Sequence, residues 1–190
     1  MNDPTHAGLW AIHPDALDGF VAKVASGRKS AEASEPRGSV PSDAGYRMDG
    51  NVAIVSISGV MMRSPDVFDQ VFGGAVGTVD IEERIRAAAS DPMVEAIVLD
   101  FDSPGGQVAG TDTLAKAIRH VSDYVLPVVT YTDSLLASAA YWAGSAADGI
   151  VAGETARVGS IGGIAAHGDV SGLYQRNGLK KTYNAAGQEK

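Results

Sequence analysis

The 190-residue chain carries 23 acidic and 15 basic side chains, which gives a formal net charge of −8, and it contains no cysteine. An acidic chain of this kind lacks the basic surface that nucleic-acid binding requires, so we predict no nucleic-acid partner. The missing cysteines exclude disulfides, thiol nucleophiles and thiolate metal sites.

The N-terminal part of the chain divides into two segments. Apolar residues recur at helical spacing behind Pro14, a residue suited to a first helical turn, which predicts an amphipathic helix over about residues 9–25, within an N-terminal helical segment 1–25. Residues 26–50 are rich in Ser, Gly, Pro and charge, and we predict a flexible linker there. No basic region followed by an apolar one is present, so no signal peptide is expected.

From residue 51 to residue 190 the pattern predicts one α/β domain of alternating strands and helices. Apolar or β-branched runs predict strands at 52–57, 96–99, 127–131, 149–152 and 181–183. Helical spacing predicts helices around 81–88, ending before Asp91-Pro92, around 114–121, after Ser138, and near 170–176. The continuous apolar run at 96–99 is typical of a sheet covered by helices on both faces. Repeated β-α units favour parallel strands, whose C-terminal ends are the usual ligand site.

Two motifs follow predicted strands directly. Ser138 opens a helix of small residues, and Gly105-Gly106 form a turn after the strand at 96–99. A hydroxyl at a helix start lies near unpaired backbone N–H groups, and glycine lets further N–H groups approach a bound carbonyl. A nucleophile with such donors can carry out acyl transfer, which indicates a serine hydrolase and favours a peptidase. The long uncharged run at 134–147 is too short to span a bilayer, so no membrane anchor is predicted.

Four short motifs extend this pattern, in the order Asp102-Ser103-Pro104-Gly105-Gly106, Ala137-Ser138-Ala139-Ala140-Tyr141, Ala146-Ala147-Asp148 and Val158-Gly159-Ser160-Ile161-Gly162. Together they resemble the signal peptide peptidase A family of serine peptidases, and in particular its bacteriophage branch, the capsid-maturation or prohead proteases. The segment Leu9-Trp10-Ala11-Ile12 is similar to the start of phage members. The resemblance implies the stacked β-α fold shared by the caseinolytic protease and crotonase groups.

The resemblance also implies a Ser–Lys dyad and assigns roles by position. Ser138 would be the nucleophile, Lys190 the general base, and Ser160 a hydrogen-bond partner of the lysine amine. The implied oxyanion hole consists of the backbone N–H of Gly105 or Gly106, together with that of Ala139. No cofactor is implied, and no His, Asp or Glu cluster has the spacing of a metal site, so we predict no metal.

The chain departs from the family pattern at two places. Ala139 and Ala140 stand where glycines are usual, and the chain ends on Lys190 where members of the family continue, so a C-terminal truncation is expected. A free carboxylate beside the amine would favour the charged lysine. A lysine pKa is ordinarily about 10.4, whereas a general base needs a pKa of about 7–8. Lys190 must therefore be shielded from water, which disfavours its charged form. Apolar residues around Ile161, with further chain or a neighbouring protomer, are expected to desolvate it.

The resemblance finally implies a biological setting. The expected reaction is ATP-independent peptide hydrolysis through an acyl-enzyme, on polypeptide substrates such as capsid and scaffold proteins. Self-association into a homo-oligomeric ring is expected, in the host cytoplasm at the assembling procapsid. The stretch before Asn51 is a candidate region for self-cleavage.

Other interpretations of the same residues stay open. His167 with Asp169 or Asp148 would make a Ser–His–Asp arrangement. The domain could instead be a non-catalytic capsid-assembly or scaffolding module, or a crotonase-type acyl-CoA enzyme that needs no nucleophilic serine. Taken singly, Ser138 could be a plain N-cap and the glycine motif a plain turn. Tyr141 and Trp142 are predicted to make core or subunit contacts, and His120 is predicted to face solvent.

Overall fold

The computed structural model describes residues 9–12 and 45–165, together with residues 176 and 178. Its strands are β1 (Leu9–Ile12), β2 (Arg47–Asp49), β3 (Val52–Ser58), β4 (Val60–Met62), β5 (Ala75–Gly77), β6 (Ala96–Asp102), β7 (Gly105–Gln107), β8 (Val128–Thr132), β9 (Leu135–Ala137), β10 (Gly149–Ala152), β11 (Arg157–Gly159) and β12 (Ile164–Ala165). Its helices are α1 (Val67–Gly73), α2 (Thr78–Ser90), α3 (Thr111–Tyr124) and α4 (Ala139–Gly144).

Five strands form a central sheet in the order β10-β8-β6-β3-β2. The first four are parallel to one another, whereas β2 pairs antiparallel with β3 at the edge. The longest pairing joins β3 to β6 from Val52↔Ala96 to Ser58↔Asp102. The predicted α/β class with a parallel sheet is therefore confirmed.

One face of the central sheet carries the hydrophobic core. Alternate residues of β3 and β6 are buried there, and α2 and α3 pack over them. The largest of these buried side chains are Ile57, Ile97, Leu99, Phe101, Ile81, Ile85, Leu114 and Ile118. Residues on the opposite face of β3 and β6 are half-buried or exposed. Burial on that second face is partial within the described residues, so cover by helices on both faces stays a prediction.

A second sheet, in the order β12-β1-β7-β4-β5, is built from short strands. β1 lies between β12 and β7 and is antiparallel to both. β4 runs parallel to β7 and to β5. A separate parallel pair, β9 with β11, is joined to the end of β6 through the bridge between Ser103 and Leu136. These short strands bring distant segments of the chain together.

The structure corrects two predictions for the N-terminal part. Leu9–Ile12 is a strand and not the start of a helix, since four consecutive apolar residues suit a strand paired on both sides. The last residues of the predicted linker belong to the domain, because Arg47–Asp49 pairs with β3 and the buried Tyr46 donates its hydroxyl to Asp91 Oδ2 at 2.6 Å. The rest of the predicted helix and linker, residues 13–44, lies outside the described residues.

The predicted helices of the domain are confirmed where they are described. α2 ends at Ser90, directly before Asp91-Pro92, and α3 buries its apolar stripe while His120 faces solvent. Apart from Arg176, the helix predicted near 170–176 and the strand predicted at 181–183 lie outside the described residues. None of the helices in the described part is long and apolar enough to cross a membrane.

Asp148 ties the end of α4 to the central sheet. Its carboxylate accepts hydrogen bonds from the Ser122 hydroxyl at 2.6 Å and from the Val128 backbone N–H at 2.8 Å. Its own N–H donates to the Val128 carbonyl at 2.9 Å. The Ser122 hydroxyl, and then the Val128 N–H, lower the pKa of Asp148, because both stabilise the charged form.

Replacing Asp148 with Asn is expected to lower the melting temperature by a few degrees at neutral pH, since the amide oxygen is a weaker acceptor than a carboxylate. A lowered folded-state pKa means that the carboxylate stabilises the fold fully above its unfolded pKa of about 3.9. This stabilisation is lost as the pH falls through the lower, folded value. The difference between wild type and Asp148→Asn should therefore shrink below about pH 4 in thermal melts.

The exposed Asp123, on the same helix as Ser122, supplies the control. Asp123→Asn should leave the melting temperature nearly unchanged across this pH range. An Asp148→Asn effect that is equally large at pH 7 and pH 3 would contradict the assigned role of the carboxylate.

Candidate active site

Ser138 stands at a sharp turn between β9 and α4. Its backbone has φ 57° and ψ −117°, a conformation that L-residues with a side chain adopt rarely and at a cost of about 1–3 kcal/mol. The residue is only 6% exposed, and its side chain makes no capping hydrogen bond. The plain N-cap interpretation is therefore wrong. A strained serine between a strand and a helix is the arrangement that presents a nucleophile in other hydrolases.

Backbone hydrogen bonds hold this conformation on both sides of the residue. The N–H of Ser138 donates to the Gly159 carbonyl at 2.8 Å, and the Ser138 carbonyl accepts from the Trp142 N–H at 2.9 Å. Ser160, the residue after Gly159, also has a positive φ of 55° and is exposed. The structure thus brings the Ser160 motif to the backbone of Ser138.

The glycine turn lies in the second sheet, beside the helix that follows Ser138. Gly105 has a φ of 95°, which a residue with a side chain would resist. A Cβ on Gly106 would lie 1.8 Å from the Met61 carbonyl oxygen, so only glycine lets β7 approach β4 this closely. α4, which begins at Ala139, packs against β7, the strand that begins with the two glycines. The two motifs predicted to build an oxyanion hole are therefore adjacent.

Ser103 connects these parts, a role that the sequence alone does not predict. Its fully buried hydroxyl donates to the Gly59 carbonyl at 2.7 Å and accepts the Gly105 N–H at 3.2 Å. Its backbone N–H donates to Leu135 at 2.8 Å, and its carbonyl accepts from Ala137 at 3.1 Å. Its place in the sequence, after a strand and before Pro-Gly-Gly, is consistent with this role, because serine hydroxyls often form hydrogen bonds to the backbone of the turn that follows them. Ser103 is best described as a positioning residue.

The predicted base lies outside the described residues, as do His167 and Asp169 of the alternative triad. Asp148, the other carboxylate considered for that triad, is already engaged by Ser122 and Val128. This arrangement gives Asp148 a structural role and argues against its orienting a histidine. Any Ser–His–Asp arrangement would then depend on Asp169.

The two aromatic residues that follow Ser138 in α4 differ in their exposure. Tyr141 is half-buried and packs against the core, as predicted, whereas Trp142 is 41% exposed. Trp142 lines an open groove of about 290 Å³ between α3 and α4, together with Lys116 and Arg119. The Arg119 guanidinium donates to the Ser145 carbonyl at 3.1 Å and so helps to hold the end of α4.

The carboxylates nearest the ends of the central strands lie away from the core face. Asp100 is half-buried, and burial raises its pKa, with a further contribution from the Asp133 carboxylate. It occupies the face of β6 opposite Leu99 and Phe101. In the described ranges, no three His, Asp or Glu side chains lie close enough to hold a metal ion.

Comparisons with known proteins find similarity to proteases. Residues 120–190 match the model of peptidase family S49. The chain is 34% identical over 145 residues to the capsid assembly protease C of Escherichia phage lambda, covering 76% of this chain and 33% of the phage protein. It is 33% identical over 122 residues to Protease 4 of Salmonella typhi, covering 64% of this chain and 18% of that protein. These matches confirm the resemblance predicted from the four motifs.

Two further matches complete the comparison. The head-tail preconnector protein GP5 of Enterobacteria phage P21 is 29% identical over 145 residues, covering 76% of this chain and 28% of that protein. The chain therefore spans a third or less of the length of these relatives. Among solved structures, an enoyl-CoA hydratase/isomerase family member aligns with a TM-score of 0.47 and 19% identity, covering 71% of this chain and 52% of that chain.

The close approach at Gly106 predicts a large steric effect. Gly106→Ala should lower the free energy of unfolding by about 1–3 kcal/mol, because the added methyl overlaps the Met61 carbonyl and β7 must move away from β4. Gly149→Ala is the matched control, since a methyl group at that position would meet no atom within 4 Å and its φ is not positive. Chemical denaturation measures both variants, and equal stability of the two would contradict the packing described.

The backbone strain at Ser138 predicts an unusual order of stabilities. Ser138→Gly should be more stable than Ser138→Ala by about 1 kcal/mol, because glycine adopts the positive φ without steric cost. At Ser145, which has φ −68° and ψ −8°, the order should reverse, with Ser145→Ala the more stable. Thermal melts of the four variants measure this, and the same order at both positions would argue against strain at Ser138.

Proposed function

We propose that this domain is the catalytic part of a serine peptidase in which Ser138 attacks the substrate carbonyl and forms an acyl-enzyme. One observation carries the proposal: a buried serine is held at a positive φ, at the turn between β9 and α4, beside the glycine strand β7. The similarity to peptidase family S49 and to phage and bacterial proteases supports the same chemistry.

In the proposed mechanism Lys190 is the general base. Its neutral amine accepts the Ser138 hydroxyl proton as Oγ attacks the carbonyl carbon, and it then gives this proton to the leaving amine. Water hydrolyses the ester in a second, equivalent step. The Ser160 hydroxyl would orient the lysine amine, a role supported by the contact of its loop with the Ser138 backbone.

Backbone N–H groups would stabilise the tetrahedral intermediate. Ala139 follows the nucleophile directly and is fully buried. Gly105 donates its N–H to Ser103 Oγ, and Gly106 pairs with Ala11 and with Met61, so both glycines stay candidates for the second donor. Removing one such donor typically costs about 10²–10³ in rate.

The proposal requires an environment that lowers the lysine pKa, and the described residues next to Ser160 do not supply one. Ile161 is 82% exposed and Val158 is 43% exposed, so their apolar surfaces are uncovered in the single chain. We therefore propose that a neighbouring protomer, or chain outside the described residues, covers them and desolvates Lys190. This proposal agrees with the homo-oligomeric ring expected from the sequence.

The substrates proposed are polypeptides, and in particular capsid and scaffold proteins during phage assembly in the host cytoplasm. The support is the similarity to the phage lambda capsid assembly protease and the phage P21 preconnector protein. Peptide hydrolysis itself would need no ATP, because the acyl-enzyme mechanism uses only the dyad and water.

Three substitutions in the full-length protein test the dyad. Ser138→Ala and Lys190→Ala should each lower kcat/KM for peptide cleavage by about 10³-fold or more, because each removes a member of the proton-transfer pair. His167→Ala should change it by no more than about twofold. A fluorophosphonate, which reacts with activated serines, should label Ser138 in the wild type and in His167→Ala only.

The pH dependence of kcat/KM separates the two possible bases. A histidine base gives a rise near pH 6–7, whereas a lysine with a lowered pKa should titrate higher. Loss of activity in His167→Ala, with activity kept in Lys190→Ala, would contradict the dyad. An unlabelled Ser138 in a folded wild type would instead support the non-catalytic scaffolding module.

A further inference from the structure

β1 lies between two strands that carry or adjoin the candidate site. One neighbour, β7, contains the glycine turn, and β1 pairs with it through Ala11↔Gly106 and Ile12↔Gly105. The other neighbour, β12, follows the Ser160 motif within a few residues and pairs with β1 through Trp10↔Ile164. The N-terminal segment is thus placed in a slot formed by the site's own strands.

The direction of β1 matches that of a peptide bound for acylation. The chain runs from Trp10, opposite Gln107, to Ile12, opposite Gly105, so its C-terminal end lies at the glycine turn beside α4. In a substrate, the residues before the scissile bond must run in the same sense, because their C-terminal carbonyl has to reach the nucleophile. β1 therefore occupies the side of the site that the acyl part of a substrate would need.

β1 also leaves no edge of β7 open. A strand has two edges, and the other edge of β7 pairs with β4 through Met61↔Gly106, where the close approach of Gly106 prevents insertion of another chain. An extended peptide recognises a sheet edge by main-chain hydrogen bonds that do not depend on its sequence. No such peptide can pair with β7 while β1 is in place.

We propose that β1 is an autoinhibitory strand that fills the extended-peptide site in cis and that a substrate polypeptide must displace it. This inference rests on the proposed function of Ser138. Because β1 belongs to the same chain, it competes at an effective concentration on the order of millimolar. The apparent affinity for a substrate is then the intrinsic affinity multiplied by the fraction of molecules in which the slot is open.

Substitutions at Ala11, opposite Gly106, test the proposal. Ala11→Pro removes a backbone N–H from the middle of β1 and weakens its pairing on the ladder. Ala11→Val is the matched control, because it keeps the N–H and favours a strand. The readout is the second-order rate of Ser138 labelling by two reagents: a small fluorophosphonate, and a peptidyl phosphonate carrying the sequence Leu-Trp-Ala-Ile.

Ala11→Pro should raise the labelling rate with the peptidyl phosphonate by about tenfold, because the slot is open in more molecules. The rate with the small fluorophosphonate, which needs no strand pairing, should change by no more than about twofold. Ala11→Val should behave as the wild type with both reagents. An unchanged or lowered rate of peptidyl labelling in Ala11→Pro, with normal fluorophosphonate labelling, overturns autoinhibition and leaves the proposed function intact.

A second measurement covers the case in which Ala11→Pro fails to fold. In the wild type, labelling with the peptidyl phosphonate should increase amide hydrogen exchange at residues 9–12, whereas labelling with the fluorophosphonate should not. Unchanged exchange at these residues after peptidyl labelling overturns the proposal. If neither reagent labels Ser138 in the folded wild type, the proposed function fails, and the inference fails with it.

Discussion

The candidate site depends on the hydrogen bonds of one buried serine, Ser103. Its hydroxyl joins the carbonyl of Gly59, 44 residues earlier, to the N–H of Gly105, and its backbone joins the same point to β9. These contacts align the strand that carries the glycine turn with the strand that leads into Ser138. A buried hydroxyl without partners would cost about 1–3 kcal/mol, so arrangements in which Ser103 loses its hydrogen bonds are disfavoured. The position of the nucleophile relative to its predicted oxyanion donors follows from this alignment.

The two elements aligned by Ser103 each contain an unfavourable local feature: backbone strain at Ser138 and a very close approach at Gly106. Ser138 has an unfavourable backbone conformation, and hydrogen bonds on both sides of it, to Gly159 and from Trp142, help to hold it there. Gly106 allows β7 to contact the Met61 carbonyl at a distance that no side chain permits. Both features lower the stability of the fold, and both fix the positions of backbone N–H groups and of the Ser138 hydroxyl. Such local conflicts with ordinary stability are typical of functional sites.

The sequence predicts those parts of the molecule that are determined by local patterns. β3 and β6 follow from the apolar runs at 52–57 and 96–99, and α3 follows from apolar residues at helical spacing around 114–121. β7 and β9 span only three residues each, and whether such segments are strands depends on distant partners. The role of Ser103 depends likewise on Gly59, and that of Gly106 on Met61. Motif order could indicate the chemistry of Ser138, but only the fold shows which backbone groups are already engaged.

β1 is another short strand that depends on distant partners, and its weak pairing bears on the proposed autoinhibition. Residues 9–12 carry no helix-breaking signal, and it is their pairing with β7 and β12 that decides in favour of a strand for this apolar run. β1 has three register partners on β7 and two on β12, fewer than the seven that join β3 to β6. Since each ladder hydrogen bond adds only about 0.5–1.5 kcal/mol, a longer polypeptide can replace β1 without unfolding the domain. A short strand paired through its backbone is therefore stable enough to occupy the slot and weak enough to leave it, which is the balance that reversible autoinhibition requires.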